Sequence, residues 1–205
     1  MARLSSPAYG GKYAYWEQTF SSFITPLCYI ASVGAVQLAE FLLDSGCDVN
    51  EGSKGVDNSA LTAASRFGHV NVIRLLIDQG ADINAQGGYW GSVLQLAAYK
   101  GSKSIVQLLL NRGADVKAQG GKYGNALQAA VAEDELDSIE LLLSHGAELD
   151  PPGPQWEELL NRIAEDFDDI SVDRLRKFRE DPRGYVAAAR ASRNVWQMTG
   201  IKILI

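Results

Sequence analysis

The chain has 205 residues, a formal net charge of −6 and 46% hydrophobic residues, a balance typical of a folded globular protein. The negative charge and the lack of a basic block argue against nucleic-acid binding, in which phosphate contacts supply most of the affinity. No apolar run approaches the roughly 20 residues of a membrane-spanning helix, and the first residues lack the apolar stretch of a secretory signal. We therefore expect a protein of the cytoplasm or nucleus that contacts neither nucleic acid nor membrane.

The first 24 residues predict a tail followed by a cap helix. Residues 1–12 are rich in Ser, Pro and Gly, which is typical of a loose terminus. Apolar side chains then recur at helical spacing up to Pro26, which is expected to end the segment. They are Tyr13, Trp16, Phe20, Phe23 and Ile24. We expect this helix to cover the unit that follows.

A repeat dominates residues 25–157. Two landmarks recur every 33 residues, a leucine near the start of each unit and a glycine near its end. They are Leu61, Leu94 and Leu127, and Gly80, Gly113 and Gly146. Leu27 and Gly46 precede this series by 34 residues, which places one inserted residue in the loop 51–58. Apolar stripes at helical spacing and a glycine after each second stripe predict four helical units whose helices end in a left-handed turn.

The four units resemble the ankyrin repeat. Thr25-Pro26-Leu27, the turn Gly68-His69 and the ending Gly80-Ala81-Asp82-Ile83-Asn84 match the start, middle and end of that family's pattern. The resemblance implies an all-α ankyrin-repeat solenoid of four helix-turn-helix repeats over 25–157, between a tail and cap helix at 1–24 and a C-terminal helical cap at 158–205. It also implies a function in binding other proteins.

The sequence departs from the family pattern at two kinds of position. The family histidine is replaced by Cys28, Thr62, Gln95 and Gln128. Two loops carry the sequences Gly87-Gly88-Tyr89-Trp90-Gly91 and Gly120-Gly121-Lys122-Tyr123-Gly124. The resulting Gly-Gly-x-Tyr-Gly-x-Ala-Leu-Gln-Ala-Ala pattern is similar to ankyrin arrays of filamentous fungi, including those attached to innate-immunity-type NTPases.

The C-terminal segment breaks the repeat at a cluster of prolines between residues 151 and 154. Beyond it we expect three helices. The first contains Trp156 and Phe167, the second Val172 and Phe178, and the third begins at Asp181-Pro182 and runs to about Asn194.

Residues that could carry chemistry are few. His69 is expected to bond backbone in the turn between helices, and His145 to lie exposed at a helix end. Cys28 has no motif that links it to a base, and the acidic run at 165–169 is expected to end one helix and start the next rather than hold a metal. The glycine pairs lack the Lys-Ser or Lys-Thr of a phosphate loop. The sequence therefore predicts no catalytic residue, no metal site and no cofactor, and a binding protein rather than an enzyme.

Candidate binding residues follow from the family's concave groove, which first helices and loop tips line. Their types, Tyr, Trp, Phe, Arg and Lys, include those enriched at interface hot spots. They are Arg66, Phe67, Tyr89, Trp90, Tyr99, Lys100, Lys122 and Tyr123. For Tyr89 and Tyr123 the alternative is that they pack the loops onto the next unit.

The functional hypothesis is that a partner protein binds at these residues. Two alternatives stay open: a groove for a small molecule or peptide in an enzyme or enzyme accessory, and a repeat segment of a larger receptor or scaffold.

Overall fold

The computed structural model describes residues 25–52, 57, 59–148, 158, 160–161 and 169–199. Eight helices in the repeat region form four pairs: α1 (Pro26–Val33) with α2 (Val36–Asp44), α3 (Ala60–Arg66) with α4 (Val70–Asp78), α5 (Val93–Tyr99) with α6 (Lys103–Asn111), and α7 (Ala126–Ala132) with α8 (Leu136–Ser144). Two longer helices follow, α9 (Asp169–Glu180) and α10 (Pro182–Thr199). The all-helical repeat solenoid predicted from the sequence is confirmed.

Polar side chains begin the first helix of every pair. Thr25, Ser59, Ser92 and Asn125 each accept a hydrogen bond from the backbone N–H three residues later, which satisfies one of the N–H groups that a helix start leaves unpaired. Pro26 opens α1 at its first turn. The helix that it was expected to end lies outside the described residues.

Glycine ends the second helix of every pair, as predicted. Gly46, Gly80, Gly113 and Gly146 have φ between 82° and 90°, in the left-handed region where a side chain strains the backbone. The chain reverses at each of them and enters the loop that leads to the next pair.

Small side chains set the spacing between neighbouring first helices. Ala64, Ala97 and Ala130 are fully buried, and α1 packs on α3, α3 on α5 and α5 on α7. The second helices add larger apolar groups to the same continuous core, among them Ile73, which is also fully buried. Each unit therefore buries its apolar side only by contact with its neighbours.

An asparagine at the end of a unit bonds to the unit that follows. Asn50 donates from Nδ2 to Gly80 O (3.1 Å) and accepts from Asp82 N (2.8 Å). Asn84 repeats this with Gly113 O (3.2 Å) and Asp115 N (2.8 Å). These bonds fix the positions of the first three units relative to one another.

The turns between paired helices stack on one another, and the space above the glycine of a turn is filled by a side chain of the next unit at some positions but not at others. The ring of His69 occupies the space above Gly34, and its Nε2 donates to Ser32 O (3.0 Å), which confirms the backbone bond predicted for this histidine. In the last unit, the carboxylate of Glu135 occupies the space above Gly101. The third unit has the small Ser102 at the position that His69 and Glu135 occupy in the second and fourth units. The space above Gly68 is therefore open, and a shallow cavity of about 650 Å³ lies there.

The two C-terminal helices cover the last repeat. α9 packs on α7 and α10 on α8, and Leu175 and Phe178 are buried between them and the repeat. Tyr185 donates to Asp134 Oδ1 (2.8 Å), and Arg174 donates to Ala132 O (2.9 Å) at the end of α7. The second and third helices predicted beyond the prolines are thus found.

Three expectations for the C-terminal segment either differ from the structure or fall wholly or partly outside the described residues. α10 extends to Thr199, beyond the predicted end at Asn194. The first predicted helix is described only at residues 158 and 160–161, where Leu160 is buried. The boundary at 157/158 and most of the acidic run lie outside the described residues. None of the described helices is both long and apolar enough to cross a membrane.

Candidate functional site

Two stacked hairpins form the floor of the candidate site. Gly87 N donates to Gly91 O (2.8 Å), and Gly120 N donates to Gly124 O (2.7 Å), which closes each loop. The hairpins are joined by a bond from Lys122 N to Tyr89 O (3.1 Å). Gly91 approaches the second hairpin so closely that an added Cβ would lie 2.8 Å from Gly121 N.

Gln95 ties the second hairpin to the start of α5. Its Oε1 accepts from Ser92 N (2.6 Å), while its Nε2 donates to Gly120 O (3.1 Å) and Gly124 O (2.7 Å). Gln95 stands at the position of the family's histidine. The departure was visible in the sequence, but its role depends on backbone atoms 25 and 29 residues away.

Four aromatic side chains on these hairpins and on α5 form one continuous series of ring contacts, edge-on or tilted, which we call the aromatic row. It consists of Tyr89, Trp90, Tyr99 and Tyr123. The ring centroids of Tyr89 and Trp90 are 4.9 Å apart, those of Trp90 and Tyr99 4.7 Å, and those of Tyr99 and Tyr123 5.3 Å. Tyr99 therefore lies between the hairpin before its own unit and the hairpin after it.

Exposure falls along the aromatic row. Tyr89 is 42% exposed, Trp90 and Tyr99 are half-buried against the core, and Tyr123 is 2% exposed. The alternative that these tyrosines pack the loops thus fits Tyr123, whose ring cannot reach a partner in this conformation. Tyr89, in contrast, presents its ring to solvent.

Burial also governs the acid–base properties of the row. Burial raises the pKa of Tyr123 far above its ordinary value, and the neighbouring Tyr99 and Glu133 raise it further. Burial and the Glu133 carboxylate raise the pKa of Tyr99 as well, against a hydrogen bond with Tyr123 that lowers it. Both phenols therefore stay protonated at neutral pH and serve as packing and hydrogen-bonding groups.

The three predicted cations are in different environments. Lys100 is exposed, with Nζ 5.8 Å from the Tyr99 ring. Lys122 is 6% exposed, with Nζ 6.0 Å from the Tyr89 ring, so it supports the row from inside. Arg66 is half-buried and pairs with Asp57 at 3.1 Å.

Phe67 is the most exposed of the predicted aromatic residues, at 55%. Its ring stacks on His69 at 6.5 Å, and the Arg66 guanidinium lies 5.8 Å from its centroid. The structure thus places the eight predicted residues in two groups. One is the aromatic row with Lys100 and Lys122, and the other is the pair Arg66 and Phe67 in the preceding unit.

The remaining histidine is outside both groups. His145 is exposed at the end of α8, as predicted, and its Nδ1 donates to Leu141 O (2.9 Å).

A second cavity, of about 500 Å³, is lined by Asn50, Asp82 and Gln86 among others. Neither this cavity nor the one above Gly68 is lined by any of the eight predicted residues.

Paired short helices, small residues at their contacts and hairpins between the pairs define a helical-repeat solenoid. Family models of ankyrin repeats match the chain in three places: a single repeat over residues 24–54, a model of many copies over 60–110, and a three-copy model over 89–152. The chain is an ankyrin-repeat protein. A comparison with curated proteins finds no significant match.

Proposed function

We propose that this protein binds another protein through the exposed edge of the aromatic row together with Phe67, Arg66 and Lys100. Ankyrin repeats are in general protein–protein interaction modules. The observation that carries the proposal is the exposure of Phe67 (55%) and Tyr89 (42%) beside half-buried aromatic rings. Large aromatic side chains and arginine are the groups that contribute most of the energy at protein interfaces.

Preorganisation of this surface supports the proposal. The ring of Tyr89 packs against the edge of Trp90, and the backbone of Tyr89 is held by the bond from Lys122 N to its carbonyl. Phe67 is fixed by His69, which is itself bonded to the first unit. Because these contacts restrict both side chains before binding, their ordering would cost less conformational entropy on association than that of side chains on a mobile surface.

The alternative of a small-molecule or peptide groove has less support. A ligand pocket encloses most of its ligand, whereas the two cavities described above are lined by other residues. The exposed rings lie on an open surface, which suits a protein partner.

Two variants test the proposal without disturbing the core. A partner is first isolated with the wild-type protein and identified by mass spectrometry, and its affinity is then measured by calorimetry. Phe67→Ala and Tyr89→Ala are each expected to weaken binding by about 2 kcal/mol, or roughly thirtyfold. Trp90→Ala and Tyr99→Ala are less suitable, because both side chains also pack against the core.

The matched control is Ile170→Ala. Ile170 is 57% exposed, as apolar as Phe67, and lies on α9 away from the hairpins. Its removal is expected to leave the affinity unchanged. If Phe67→Ala and Tyr89→Ala both bind as tightly as the wild type while circular dichroism shows them folded, this face is not the binding surface.

A further inference from the structure

The first repeat exposes large apolar side chains at positions that the later repeats bury wholly or in part. Leu38 is 56% exposed, whereas its counterparts Val72 and Ile105 are 0% and 1% exposed. Phe41 is 66% exposed, whereas its counterpart Leu108 is 6% exposed and its counterparts Leu75 and Leu141 are half-buried. We call Leu38, Phe41 and Tyr29 the end face.

Tyr29 extends the end face from α2 onto α1. It is 52% exposed, whereas its counterparts Ala63 and Leu96 are at most 2% exposed. Leu38 and Phe41 are three residues apart on α2 and so lie on the same side of that helix. Both helices of the first unit therefore contribute to one apolar surface.

The repeat itself explains why this surface is open. In later units the same positions face the preceding unit, since α3 packs on α1 and α4 on α2. At the opposite end of the solenoid, α9 and α10 cover the last unit. A solenoid end that is left apolar promotes aggregation, so the first unit also requires a cover.

We infer that residues 13–24 of the same chain are this cover and bind the end face as an amphipathic helix. Five large apolar residues of this segment recur at helical spacing, as described above. As a helix these twelve residues would span about 18 Å, more than the nine residues of α2 at about 14 Å. The inference does not depend on the proposed function.

Chain connectivity favours this occupant over a separate molecule. Residue 24 is followed at once by Thr25, the capping residue of α1, and Tyr29 lies one turn further on. A segment joined so closely to its binding surface has a high effective concentration, on the order of millimolar for short links. A second copy of the chain would have to compete with it.

Hydrogen–deuterium exchange of the full-length chain tests the inference. Backbone amides of residues 16–24 are expected to exchange at least about tenfold more slowly than those of an unstructured peptide. Phe41→Glu should abolish this protection, because a carboxylate cannot be buried under an apolar helix without a partner. Ile170→Glu, a change of the same kind at a site on α9 that is 57% exposed, should leave it intact.

The reciprocal variant separates docking from general unfolding. Phe20→Gln should remove protection from residues 16–24 and speed exchange in α2, while α6 keeps its wild-type protection. The inference is overturned if residues 16–24 exchange freely in the wild type, or if their protection survives Phe41→Glu or Phe20→Gln. It is also overturned if light scattering shows a wild-type dimer that Phe41→Glu converts to monomer, because a second copy would then cover the end face.

Discussion

The contact between the two hairpins predicts that Gly91 is far less tolerant of a side chain than another glycine of nearly the same backbone conformation. Gly91 has φ of 84° and Gly113 has φ of 87°. A Cβ at Gly113 would meet nothing within 4 Å, whereas a Cβ at Gly91 would lie 2.8 Å from Gly121 N and 2.9 Å from Gly120 C. It would also strike Oε1 of Gln95.

The magnitude follows from separating the two costs. Alanine in the left-handed region costs about 1–2 kcal/mol, and both variants incur this cost. Gly91→Ala must in addition move one hairpin backbone away from the other, and overpacking of this kind typically costs about 1–3 kcal/mol. We therefore expect Gly113→Ala to lose about 1–2 kcal/mol of unfolding free energy and Gly91→Ala about 2–5 kcal/mol.

Urea unfolding followed by far-ultraviolet circular dichroism measures both values. Gly91→Ala should also weaken the near-ultraviolet signal, because the aromatic row rests on the same two hairpins, while Gly113→Ala should preserve that signal. Equal losses of stability in the two variants would refute the close stacking of the hairpins.

Three further predictions concern the stacking of the units. Ser102→His should raise the unfolding free energy by about 0.5–1.5 kcal/mol in thermal or urea unfolding, because the imidazole can fill the open space above the preceding turn as His69 does; no gain would show that this space cannot hold the ring. Asn84→Ala should lower the unfolding free energy by about 1 kcal/mol through the loss of its two bonds to the third unit, and an unchanged urea midpoint would contradict their contribution. Because burial raises the folded-state pKa of Tyr123 and Tyr185, the unfolded chain loses these protons first, so stability should fall as the pH rises above about 10; replacing both by Phe should flatten that fall, and an identical pH profile would contradict it.

The sequence alone determined the features that depend on neighbouring residues. The helix-ending glycines act within a few positions of the chain, as do the capping residues Ser59, Ser92 and Asn125 that the structure shows. Their effect is set by local backbone geometry, which is why the helical units and their turns could be predicted. The backbone bond of His69 reaches Ser32, 37 residues away, and was predicted only because the Gly68-His69 turn resembles that of the ankyrin repeat.

Only the tertiary structure decided which of the candidate binding residues face solvent. Tyr89 and Tyr123 occupy similar loops, yet the first is 42% exposed and the second 2%, because the ring of Tyr123 is enclosed by Tyr99 and the core. Lys122 is buried for a related reason, since its hairpin stacks under Tyr89.

The end face and the bridging role of Gln95 likewise appeared only in three dimensions. Leu38 has the same apolar character as its buried counterparts Val72 and Ile105, so composition cannot show that it is exposed. Whether it is covered depends on the unit packed beside it. Gln95 bonds to carbonyls 25 and 29 residues away, a distance along the chain over which local sequence patterns specify no contact. Local geometry thus determined the repeating unit, and contacts between units determined the surface that it presents.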